Sequence, residues 1–132
     1  MKGIDAVKYI LKNLGCIHPF RLSRILALAE IAFYRDYGER MTDIIYKEGP
    51  GAFYIEGLKE LVEKNSCFAR QEGDPERGKK GCLEYICQLD VEIEGKYQRY
   101  LDEAIAEAGS LNDMELNEAV VNDSLFRKLL EE

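Results

Sequence analysis

A chain of 132 residues, 46% hydrophobic and 33% charged, is long enough to bury one core, and its composition excludes a disordered or low-complexity protein. Its formal net charge of −7, from 18 basic and 25 acidic residues, argues against a general affinity for nucleic acid. No apolar run approaches the roughly 20 residues that span a bilayer, and Lys8, Lys12 and Asn13 interrupt the N-terminal run too early for a signal peptide. A single cytoplasmic domain over residues 1–132, with no membrane association, is expected.

In chain order, Ile4, Val7, Ile10, Leu11 and Leu14 make an apolar stripe that predicts a helix over 3–14, stopped at Gly15. Pro19 disfavours helix at His18 and can open the next one, which should run from about Pro19 to Tyr37. Phe20, Leu22, Ile25, Leu26, Leu28, Ile31 and Phe33 leave that helix apolar over most of its circumference, so it belongs in the middle of the core. Arg21, Arg24 and Arg35 should mark its exposed edges. Ile44-Ile45-Tyr46 reads as a short strand or extended connector, broken by Gly49-Pro50-Gly51. Beyond the break, apolar residues at 54, 55, 58, 61 and 62 predict an amphipathic helix over 52–64.

Cys67–Arg70 and Cys82–Cys87 read as two strands joined by a polar tip of three glycines and a proline. A helix over 91–108 follows, with Tyr97, Tyr100, Leu101, Ala104, Ile105 and Ala108 inward. Two short helices close the chain, capped by Asn112 or Asp113 and by Asp123 or Ser124. The expected class is mainly α (α+β): a helical bundle around a central apolar helix with a small antiparallel β-hairpin, in an order like that of a winged helix.

Charge is unevenly spread. Residues 1–81 carry 14 Lys/Arg against 12 Asp/Glu, a balance of +2, whereas residues 82–132 carry 4 against 13, a balance of −9. The acidic part suits a basic protein partner, or is simply a solvated helix surface. The four cysteines, Cys16, Cys67, Cys82 and Cys87, form no CxxC pair. They read first as reduced, buried thiols; Cys67 and Cys82 facing each other across the hairpin, or a Cys16/His18/Cys82/Cys87 metal cluster, are the alternatives. No metal or cofactor is expected.

Catalysis has little to rest on. The one histidine, His18, sits in a tight turn and reads as a hydrogen-bonded turn residue, and no serine has a nucleophile-elbow context. The Gly-Pro-Gly turn lacks the GxxxxGK[ST] pattern of a phosphate loop. A non-enzyme is expected. For nucleic acid, the order of helices and hairpin suggests a winged helix whose wing tip, Arg70, Arg77, Lys79 and Lys80, would contact phosphates. The candidate recognition helix argues against it, since Glu56, Glu60 and Glu63 outnumber Lys59 and Lys64. For protein binding, Tyr34, Tyr37, Tyr46, Phe53 and Tyr54 flank the Gly-Pro-Gly turn and would anchor an interface if left exposed; the plainer alternative is core.

Arg24-Ile25-Leu26-Ala27-Leu28 leading into Phe33-Tyr34-Arg35-Asp36-Tyr37-Gly38, then Ile44-Ile45-Tyr46-Lys47-Glu48-Gly49-Pro50, resembles the Panacea domain, an antitoxin-type module related to the SocA proteolytic adaptor. Met114-Glu115-Leu116 and Val121–Phe126 are similar to that family's C-terminal helices. The resemblance implies a non-enzymatic domain that neutralises or delivers a protein partner, a toxin or a client, by direct contact. Its matching positions are Tyr46, Lys47, Gly49 and Pro50, with Tyr34 and Tyr37 beside them. A homodimer through Leu125, Phe126, Leu129 and Leu130 is a further expectation; those residues could equally pack back on the first helix.

Overall fold

Helix α2 (Pro19–Tyr37) occupies the middle of the protein, whose computed structural model describes residues 1–131; Glu132 lies outside the described residues. Leu22, Ile25, Leu26, Ile31 and Phe33 are all at most 3% exposed. Each such side chain stabilises the fold by about 1.5–3 kcal/mol relative to leaving it in water. The ends of α2 form as the sequence predicts. His18 Nδ1 accepts the Phe20 N–H at 3.0 Å, Pro19 takes the first helical position, and Gly38 closes the helix in a left-handed conformation.

Around α2 pack α1 (Gly3–Leu14), α4 (Gly95–Ala108), α5 (Asp113–Val121) and α6 (Ser124–Glu131). Helix α5 starts with a reciprocal capping box between Asn112 and Glu115, and Asp123 accepts the Leu125 N–H at 2.9 Å ahead of α6. Phe126 and Leu129 are each 1% exposed, because α6 lies against α2 and the first strand. Both are therefore consumed within their own chain, whereas Leu125 and Leu130, the other two residues of the expected homodimer face, are half-buried.

Two antiparallel hairpins complete the fold, which is mainly helical with a small β part. Strand β1 (Tyr46–Gly49) pairs with β2 (Ala52–Ile55), Gly49 opposite Ala52, so Pro50-Gly51 is a two-residue turn. The helix expected over 52–64 forms only over its second half. Its first four residues alternate exposed, buried, exposed, buried as a strand, and Gly57, at φ +73°, separates them from a six-residue helix α3 (Leu58–Glu63). Positions 54, 55, 58, 61 and 62 fit one helical face, but insertion of Phe53 and Ile55 into the core selects the period of two. The long recognition-type helix of the winged-helix order is lost with it.

Strand β3 (Phe68–Gln71) pairs with β4 (Cys82–Tyr85), and Pro75–Arg77 makes a single 3₁₀ turn at the tip. All four cysteines are in disulfides, Cys16–Cys82 and Cys67–Cys87, which corrects both the reduced thiols and the Cys67–Cys82 pair expected from sequence. The register explains the pairing. Phe68 faces Tyr85, so Cys67 lies just beyond that pair beside Cys87, while Cys82 faces Gln71 and is left for Cys16. A metal cluster of Cys16, His18, Cys82 and Cys87 has no free thiolates left to use. Among the described residues no helix is long and apolar enough to cross a membrane.

Candidate functional site

The β1–β2 hairpin has two faces. Tyr46, Phe53 and Ile55 point into the body, where Tyr46, Phe53 and Phe126 form a ring cluster with centroids 4.6–6.0 Å apart. Tyr46 and Phe53 are each 1% exposed, so these two of the expected contact residues are core, because alternate strand positions face inward. Burial, reinforced by the charge of Glu30, holds the Tyr46 phenol well above its usual pKa. Lys47, Pro50 and Tyr54 are exposed, and Gly49 is half-buried. The Tyr54 ring lies across Gly49: a Cβ there would sit 2.7 Å from two ring carbons, so glycine lets the ring lie flat on the strand.

Beneath the turn lies Arg24, 2% exposed rather than at the helix edge where the sequence suggested it. Its guanidinium is stacked between Phe20 and Phe53, 3.8 and 3.9 Å from the two centroids. Nη2 donates to the Gly51 carbonyl at 2.6 Å, Nη1 to the Phe53 carbonyl at 3.1 Å and to Ser23 Oγ at 2.9 Å, and Nε to Asn117 Oδ1 at 2.9 Å. Burial lowers its pKa to about 10, so it stays charged at neutral pH. Four hydrogen bonds and two aromatic faces offset the desolvation of the cation. The two carbonyls it holds flank Ala52, the only non-glycine residue with positive φ, +92°, among the described residues. The turn is thus gripped from below. Sequence reasoning missed this; the available signal was a cation set among Leu22, Ile25 and Leu26 with Phe20 four residues before it.

Glu30, fully buried, does the same for the segment that feeds β1. It accepts from the Met41 and Thr42 amides, from Thr42 Oγ1 at 2.7 Å and from Arg40 Nη2 at 3.2 Å. This residue was also not singled out, although a lone glutamate inside Leu26–Phe33 is a signal of a buried acceptor. Between the hairpin and the α5–α6 corner runs a groove of about 1050 Å³. Lys47, Glu48, Gly49 and Ala52 form its hairpin side, Val121, Phe126 and Leu130 its apolar helix side, and Arg127 and Glu131 add opposite charges. Three consecutive residues of β1 line it, so the edge of that strand borders the groove.

Tyr34 is half-buried against the core, and Tyr37 belongs elsewhere. Tyr37 stacks on Phe33 at 4.5 Å beneath Lys96, near the far end of α2. Thirteen residues separate it from Arg24, roughly 20 Å along the helix axis, so the expected single aromatic surface is two patches. At the other hairpin, Arg70, Arg77, Lys79 and Lys80 are exposed, but Arg77 lies 3.5 Å from Asp74 and Lys80 3.6 Å from Asp113. His18 is engaged as the α2 cap, and the described residues contain no cluster of three or more metal-ligating side chains. No family model, no curated protein and no solved structure matches the chain.

Proposed function

We propose that this chain is a non-enzymatic protein-binding domain, antitoxin- or adaptor-like, that engages a protein partner through the β1–β2 hairpin. The observation that supports it is a rigidly held, exposed turn set beside a groove with an apolar wall. Because Arg24 immobilises the turn before any partner arrives, little conformational entropy remains to be lost on binding. Tyr54 and Pro50 offer apolar contact area, Lys47 and Arg127 offer charge-assisted hydrogen bonds, and Leu130 and Val121 offer a seat for an apolar side chain. Two disulfides favour an oxidising compartment, or the interior of a hyperthermophile, over an ordinary reducing cytoplasm.

Site-specific photo-crosslinking in extracts of the native cells tests the reading. A photoreactive residue replacing Pro50 should yield a discrete adduct with one foreign protein, and the same residue replacing Leu89, which is 70% exposed on another surface, should not. Adding Lys47→Glu and Leu130→Asp should remove that adduct from a folded protein. Equal labelling from both positions would refute the reading. Salt-sensitive association with duplex DNA, lost on Arg70→Ala and Lys79→Ala, would replace it with phosphate binding by the β3–β4 tip.

A further inference from the structure

We infer that the β3–β4 hairpin is a redox-released arm: reduction of Cys16–Cys82 and Cys67–Cys87 undocks residues 67–87 while the body built on α2 stays folded. This stands independently of the partner-binding reading. Its first support is the distribution of the core. Across residues 64–94 only Leu83 is buried, whereas Phe68 and Tyr85 are half-buried and meet each other edge-on, 6.0 Å apart. A two-stranded hairpin with so little apolar anchorage is marginal in water.

The second support is how the arm is attached. Ile17 and Leu83 exchange two backbone hydrogen bonds, Ile17 N–H to Leu83 O at 3.0 Å and Leu83 N–H to Ile17 O at 2.8 Å. The Cys16–Cys82 bond lies one residue before each partner and locks that pairing. The remaining polar ties are exposed: Lys12 to the Leu89 carbonyl and Asp90, and Lys80 to Asp113. Exposed pairs of this kind hold weakly. The third support is that the body needs no cysteine. The Arg24 and Glu30 networks and the Tyr46–Phe53–Phe126 cluster join α2, the β1–β2 hairpin and α6 through buried contacts alone.

The chemistry is thiol–disulfide exchange with a dithiol reductant. Its thiolate attacks one sulfur of a bridge to form a mixed disulfide, and its second thiol then displaces the protein sulfur. Each bridge takes up two electrons and two protons to become two cysteine thiols, and the reductant leaves as its own disulfide. Release of the arm uncovers the seat of Leu83 and frees the Ile17 amide and carbonyl, next to the His18 cap of α2.

Hydrogen exchange read by mass spectrometry on the full chain, before and after dithiothreitol, tests this, with alkylation confirming four free thiols. On reduction, amides of Ile17 and of Leu83–Ile86 should exchange at least about tenfold faster, while those of α2 and β1–β2 change by less than about twofold. Simultaneous loss of protection throughout the chain would overturn the inference, since the bridges would then hold the whole fold. Unchanged protection of the hairpin with all four thiols alkylated would overturn it as well. A Cys16→Ser, Cys82→Ser variant that keeps Cys67–Cys87 should lose the Ile17–Leu83 protection while β3 and β4 still protect each other; retention of the Ile17–Leu83 protection would count against the latch.

Discussion

Arg24 brackets Ala52. One guanidinium nitrogen holds the carbonyl before that alanine and another the carbonyl after it, and between the two fixed points Ala52 stands at φ +92°. An L-residue in that region is strained, and strain persists only where the surroundings impose it. Here the imposing group is a buried cation, and the strained residue lines the groove beside the turn.

This relationship is separable by mutation. Ala52→Gly should stabilise the protein by about 1 kcal/mol, because glycine adopts positive φ without the Cβ penalty. Arg24→Lys should cost about 2 kcal/mol, since an ammonium cannot reproduce the stacked fork that reaches both carbonyls. In the Arg24→Lys background the gain from Ala52→Gly should shrink toward zero. A urea-unfolding double-mutant cycle measures the coupling, and strictly additive effects would show that Arg24 does not impose the strain.

Glu30 is the corresponding anchor at the base of the hairpin. Glu30→Gln replaces an acceptor-only carboxylate by an amide whose NH₂ faces donors, and takes the negative charge out of its contact with Arg40 Nη2. The expected loss is about 3 kcal/mol, with hydrogen exchange at Met41 and Thr42 rising before that of α2. A loss below the error of thermal unfolding would contradict the role assigned to the carboxylate.

Tyr54 and Gly49 form a pair across the strands. Gly49→Ala should push the ring off the strand and cost about 1 kcal/mol, an effect that disappears in a Tyr54→Ala background. The tyrosine's near-ultraviolet circular dichroism reports the displacement; an unchanged spectrum with unchanged stability would remove the pair.

Alkaline titration gives a further check. Tyr9, half-buried and donating to Asp102, and Tyr100, donating to Asp36, both have pKa values raised from 10.0 to about 12, and burial holds Tyr46 well above its usual value. A raised phenol pKa means that the fold favours the neutral form. Its stabilisation is whole below pH 10 and lost as pH climbs from there toward 12. Part of the tyrosinate absorbance of the eight tyrosines should therefore appear late and together with loss of helicity. A single transition near pH 10 with the helices intact would refute it.

The helices were legible because their signals are local. The stripe of α1, the Pro19 start and Gly38 stop of α2, and the Asn112 and Asp123 caps involve residues within a few positions of one another. That His18 is a hydrogen-bonded turn residue was legible for the same reason; that it caps α2 was not.

Residues 52–55 were not, because both periodicities fit the same apolar residues and only the place prepared for Phe53 distinguishes them. The candidate site shared that fate. Tyr46 and Tyr54 are alike in sequence, yet strand alternation buries one and exposes the other.

The chain by itself determined the central apolar helix, the existence of the other long helices and a turn at Gly49-Pro50-Gly51, since these follow from spacing, capping and the backbone limits of proline and glycine. Only the tertiary structure decided that Arg24 lies beneath that turn, that Tyr37 lies far from it, and that Cys16 meets Cys82 across 66 positions. Each of these depends on which distant segments pack together, and that is set by the summed burial of the whole core rather than by any local run of residues.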